Sequence, residues 1–117
     1  MGMYVAVRGW LEFDHSQRPR VEEVLGGSGG WAWPTHPFGW TLYLLYGGDL
    51  RESAVGALRA QVDELARLEP ADADGDMPAG FFLLSDERQQ STTWIIRDGS
   101  VIDAPAPAEL HWFAQRE

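Results

Sequence analysis

Three aspartates in PADADGDMP, Asp72, Asp74 and Asp76, stand at alternate positions, as the first three carboxylate ligands of a calcium loop do. The rest of that loop is missing: Met77 stands where the turn glycine belongs, Leu83 where the closing bidentate acid belongs, and Gly75 falls one place early. The segment reads as a solvated acidic loop, and no metal or cofactor is expected. His15, His36 and His111 have no partner at helical spacing, and a chain without cysteine has no thiol nucleophile, thiolate metal site or disulfide. Ser28, in GGSGG, comes nearest to a nucleophile turn but lacks its strand-turn-helix setting. Asp86 and Glu87 beside Arg88 have the composition of an acid pair, yet without a second convergent acid they read as a charged turn. These residues carry no catalytic signature, so a binding role is the first expectation and a small enzyme the alternative. His36, between Thr35 and Pro37 in a tryptophan-rich stretch, is the histidine best placed for a functional role, although a loop histidine bonded to local backbone is the favoured reading.

That histidine lies in GGSGGWAWPTHPFGW, residues 26–40, which holds five glycines, two prolines and three of the six tryptophans. Gly27, Gly29 and Ala32 fit a loose G-x-G-x-x-A pattern, but a nucleotide loop follows a strand and opens a helix, and here the order is reversed. A flexible linker would be polar, whereas Trp31, Trp33, Phe38 and Trp40 are costly to leave in water and Pro34 and Pro37 stiffen the chain. The stretch is expected to be a rigid aromatic connection that reaches the surface and anchors a binding face. Core and interface remain equal alternatives for Trp31, Trp33 and Trp40.

The 117 residues suit one domain, and 44% hydrophobic content is enough for one core. Eighteen Asp and Glu face nine cations, all arginine, for a net charge of −9. Such a surface repels phosphate backbones, so direct nucleic-acid binding is not expected, while a basic protein partner would be steered in by Asp72, Asp74, Asp76, Asp86 and Glu87. No segment approaches the ~20 apolar residues of a membrane span, and no secretory leader is visible, so a cytoplasmic protein without membrane contact is expected. The absence of Lys and Asn beside abundant Ala, Arg and Gly points to a GC-rich, bacterial genome.

Alternation over Tyr4–Phe13 predicts a strand with Val5, Val7, Leu11 and Phe13 on its core side. A short helix with Pro19 in its first turn ends at Gly26. WTLYLLY, Trp40–Tyr46, is apolar on both faces and reads as a central, doubly covered strand; if one side is open, Tyr43 and Leu45 face a partner. In GGDLRE, Asp49 and Glu52 form a capping-box pattern that starts a helix carried by Val55, Leu58, Val62, Leu65 and Leu68 to Glu69. Phe81–Leu84 is a buried strand, and Asp98-Gly99 turns a hairpin between Thr92–Arg97 and Ser100–Asp103. ELHWF adds a last short strand or a packed tail. With a short strand at Gly30–Trp33, the fold class is α+β: a ferredoxin-like split βαβ sandwich, with a mainly antiparallel sheet, two helices on one face and a C-terminal hairpin extension.

GGWAWP, YGGDLRE and GFFLLSDE, in a short, acidic, tryptophan-rich chain without cysteine, resemble the small bacterial immunity-type proteins of polymorphic toxin systems. The resemblance implies a protein that binds and blocks a toxin domain, often a basic nuclease. A second expectation is a small-molecule site or small enzyme beneath the tryptophan loop, with His36 and a carboxylate acting together. A homodimer through the open sheet face is compatible with either.

Overall fold

The computed structural model describes residues 3–36, 39–71 and 74–110. Its elements are β1 (Tyr4–Asp14), α1 (Arg18–Leu25), β2 (Trp31–Ala32), β3 (Thr41–Arg51), α2 (Val55–Ala66), β4 (Ala79–Asp86), β5 (Ser91–Arg97) and β6 (Ser100–Pro105). A 3-10 turn leads into each helix, at His15–Gln17 and Glu52–Ala54. The strands form one open sheet in the order β2-β3-β1-β4-β5-β6, every neighbouring pair antiparallel, so the class is α+β.

The alternation of β1 sets the two faces. Val5, Val7, Leu11 and Phe13 are buried in one cluster with Leu42, Leu44 and Tyr46 of β3, Phe82 and Leu84 of β4, and Trp94 and Ile96 of β5. Val21 and Leu25 of α1 and Leu58, Val62, Leu65 and Ala66 of α2 join the same cluster, so both helices cover that side of the sheet. Phe82 is its hub. Its ring lies 6.1 Å from that of Trp31, 6.2 Å from Tyr46 and 5.8 Å from Trp94. The room comes from Gly9, directly opposite on β1: a Cβ there would meet the Phe81 carbonyl oxygen and stand 2.7 Å from the Phe82 ring. Gly80 makes the reciprocal space, where a Cβ would stand 2.9 Å from the Leu11 side chain.

Two sequence expectations are corrected. Asp49 does not cap a helix: β3 continues through it to Arg51, because eleven successive pairs with β1, from Tyr4↔Arg51 to Asp14↔Thr41, hold the segment extended. The helix proper begins at Val55, where its buried spacing begins, and ends at Ala66 rather than Glu69. Arg67 and Leu68 there donate to carbonyls three residues back, tightening the last turn. Nor is β3 the central, doubly covered strand; β1 is central, and Leu45 on the far face of β3 is exposed. The Asp98-Gly99 turn is as expected, with both residues at positive φ.

The outer edge of β6 is closed from α2. Arg59 places Nη1 2.8 Å from Asp103 Oδ1 and donates from Nη2 to the Val101 carbonyl, which faces away from β5 in a two-residue hairpin. It also reaches Asp63 at 3.4 Å and lies over the Trp94 ring. Burial works against its charge, but hydrogen bonds and the fields of Asp103 and then Asp63 outweigh that and raise its pKa. Pro105, lacking an N–H, leaves no donor on that outer edge at the end of the strand, while Ala106 still donates to the Ser91 carbonyl at 3.2 Å.

Gly9→Ala is expected to destabilise the fold by about 1–3 kcal/mol through overpacking against β4. Urea denaturation measures this; an unchanged midpoint would mean that Phe82 does not seat on Gly9.

Candidate functional site

At the end of the sheet where β1 finishes, a cleft of about 390 Å³ opens between the last residues of β1, the start of β3 and the segment entering β4. Its polar lining is Glu12, Asp14, Gln17, Thr41 and Asp76, and Trp40 stands beside it with 94% of its surface exposed. Three carboxylates and an indole line one concavity.

Local chemistry fixes the carboxylates. Glu12 points out of the helix-free face and its Oε2 accepts from Trp10 Nε1 at 2.8 Å. Asp14 ends β1 and caps the following turn: Oδ1 accepts from the Ser16 amide at 2.9 Å and the Ser16 hydroxyl at 2.7 Å, while its own amide donates to Gln17 Oε1. The Ser16 hydroxyl, then the Ser16 amide, hold its pKa below the ordinary aspartate value. Gln17 is buried and donates to the Glu69 carbonyl at 2.7 Å, tying the cleft wall to the chain leaving α2. Among the described residues no three acidic or histidine side chains come together as a metal site. The cleft's chemistry suits a larger cation, a guanidinium or ammonium that pairs with carboxylates and stacks on an indole.

The sequence candidates divide. Trp31, on β2, faces the core: it meets Tyr46 edge-on at 4.7 Å between ring centroids, and its Nε1 donates to Gln61 Oε1 of α2. The Gln61 amide donates to Ser28 Oγ at 3.0 Å and to the Val24 and Leu25 carbonyls, so one α2 side chain anchors the glycine-rich turn. Trp33 is half-buried beneath the Arg18 guanidinium, 4.4 Å from its ring centroid. Of the three tryptophans, only Trp40 faces solvent freely.

Asp76 lines the cleft and Asp74 is exposed nearby in the chain. Phe38 and Asp72 lie outside the described residues. Asp86 and Glu87 are at the other end of β4, roughly 24 Å away along the strand. Asp86 accepts from the amides of Arg88 and Gln90, and Glu87 accepts from the Tyr4 amide at 2.6 Å, so both hold local structure. Arg51, at that same end, stacks on the Tyr4 ring. His36 is exposed and lines a separate groove with His15, Arg18, Trp33 and Tyr43, into which no described carboxylate projects. His15 Nε2 donates to the Gly39 carbonyl at 3.1 Å, joining that groove to the turn before Trp40.

The fold and this site define an antiparallel α+β domain with an acidic, aromatic cleft at one sheet end. Neither a family model, nor a curated protein, nor a solved structure matches the chain.

Trp31→Ala is expected to cost about 3–5 kcal/mol of stability, whereas Trp40→Ala should stay within about 0.5 kcal/mol of the parent. Thermal or urea unfolding of both variants checks the division; equal losses would contradict it. Because folding lowers the pKa of Asp14, its contribution is present above the unfolded value, near 3.8, and fades as pH falls through the folded value. Asp14→Ala should therefore melt below the parent at neutral pH, with the gap closing on acidification below 3.8; a gap constant down to pH about 2 would contradict the cap.

Proposed function

We propose that this chain is a non-catalytic, cytoplasmic protein-binding module, most concretely an immunity-type inhibitor that occupies a basic toxin domain. The observation that carries the reading is Trp40, 94% exposed beside Glu12, Asp14 and Asp76. An indole left in water is a cost that binding recovers, and tryptophan is among the residues that dominate interface energies. The surrounding carboxylates would receive an arginine or lysine of the partner, and the net charge of −9 would steer it in. The order β4-β1-β3-β2, with α1 and α2 in the crossovers, supports reading residues 4–86 as a ferredoxin-like split βαβ unit, with β5 and β6 as its hairpin extension.

The test is affinity capture from the native host with the tagged chain, then titration of the purified, identified partner. The reading expects a basic protein whose affinity falls at least about tenfold in Trp40→Ala and also falls as salt rises from about 50 to 200 mM. A partner that binds Trp40→Ala and Asp76→Asn as tightly as the parent, or that is acidic, would overturn it.

A further inference from the structure

The two edges of the sheet are finished differently. Arg59 closes the β6 edge, but β2 pairs with β3 only at Leu45 and Tyr46, with one further bond from the Gly47 amide to the Gly30 carbonyl. That bond fixes the parity of β3. Gly47, Asp49 and Arg51 turn their amides to the outer edge, and Glu52, one step on, donates inward to the Met3 carbonyl. Beyond Gly47 no described strand pairs with this edge. The Asp49 amide and carbonyl and the Arg51 amide therefore face outward, with no backbone partner among the described residues. The open stretch begins with two glycines that the fold does not require. Neither has a positive φ; a Cβ at Gly47 would meet nothing within 4 Å, and one at Gly48 would meet only the Tyr46 side chain, at 3.5 Å and beyond. Glycine weakens a strand interior, and one without such a cause marks a place where another backbone comes close. On the helix side of the edge runs a groove of about 290 Å³, floored by Tyr46 and Leu50 and walled by Ala57 and Leu58 of α2 and by Gly29.

We propose that an extended segment of another protein adds here as a further strand, antiparallel to β3 and in line with β2, reaching from opposite Arg51 to opposite Gly48. It ends there because Gly30 stands next in line. The register sets its chemistry, since directly opposed residues share a face. Leu50 packs on the core side and Gly48 turns the same way, so apolar residues opposite these two enter the groove. Asp49 and Arg51 are exposed on the other face, where a basic residue opposite the first and an acidic one opposite the second complete pairs of unlike charge. Along its own direction the segment therefore runs acidic, apolar, basic, apolar. Main-chain bonds to Asp49 and Arg51 hold it, and the groove selects its side chains. A second copy of this chain fits poorly. Centred on Asp49, the antiparallel pairing sets aspartate against aspartate. Centred on Leu50, it drives Ser53 and Ala54 of the second copy into the places that Gly30 and Trp31 already hold beside Gly47 and Tyr46. Arg51 pairs with Tyr4, whereas the acidic cleft lies where Asp14 pairs with Thr41, so this surface is at the opposite sheet end and does not depend on the cleft.

Amide-resolved NMR of the full chain, titrated with the capped peptide Thr-Glu-Val-Arg-Val, tests this. The amides of Gly48, Asp49, Leu50 and Arg51 should shift saturably, and those of Asp49 and Arg51 should exchange with solvent at least about tenfold more slowly in the complex. Gly48→Val fills the space with a residue that suits a strand, and Asp49→Pro removes the edge amide where an edge strand tolerates proline. Both should stay folded and bind at least about tenfold more weakly. The peptide with Glu and Arg exchanged should bind the parent more weakly and recover on Asp49→Arg/Arg51→Glu. No shift at about 5 mM peptide overturns the proposal. Binding that survives both Gly48→Val and Asp49→Pro, or shifts confined to Trp40 and the cleft, equally overturn it. Slow exchange of the Asp49 and Arg51 amides without peptide, growing with protein concentration, gives the edge to a second copy and overturns it as well.

Discussion

The seating of Phe82 on Gly9 is the contact on which the rest of the molecule depends. β1 and β4 are the two middle strands, and a side chain at position 9 would collide with the backbone of β4. Its absence lets an aromatic ring settle onto the sheet, where Trp31, Tyr46 and Trp94 gather around it. Each of those rings then fixes something further away. Trp31 pulls the glycine-rich connection inward and meets Gln61, which holds the end of α1. Trp94 lies beneath Arg59, whose guanidinium closes the β6 edge through Val101 and Asp103. Burial raises the pKa of Tyr46, as expected of a phenol packed among rings.

With both helices drawn to the Phe82 side, no helix among the described residues lies over the other face of the sheet. The aromatic residues are thereby divided by role. Trp94 lies in the core with Trp31 packed half-buried against it, Trp33 shields the start of α1 through Arg18, Trp10 and Phe81 rise on the opposite face of the sheet, and Trp40 stands free at the sheet end. The acidic residues divide as well. Asp14, Asp86 and Glu87 spend carboxylate oxygens on backbone amides, which limits what they offer a partner, while Asp76 joins Glu12 and Asp14 around the cleft.

Much of the fold was legible because strand alternation is a strong local signal: β1, its core residues and the Asp98-Gly99 hairpin all followed from spacing. The helix start at Asp49 was misread because a local capping pattern competes with a non-local ladder, and the eleven pairs to β1 are not written near GGDLRE. The site was legible in pieces. Trp40 and Asp76 were identified from residue type, but Glu12 and Asp14 were missed, since only the turn after β1 and the entry to β4 bring them alongside. Asp14 had a signal of its own, the D-x-x-Q spacing to Gln17 that marks a helix start. Nothing local could reveal Arg59 with Asp103, forty-four residues apart, or which side of WAWP faces inward, because one residue of register exchanges the faces.

The division of the tryptophans into inward and outward sets is the centre of this account, and hydroxyl-radical footprinting of the full chain with peptide-level mass spectrometry tests it most directly. Trp40 should oxidise at least about tenfold faster than buried Trp94 and clearly faster than half-buried Trp31, in the order of their exposure. Comparable rates at Trp31 and Trp40 would mean that the connection is not held by the Phe82 cluster, and would contradict both the core described and the cleft built at its edge.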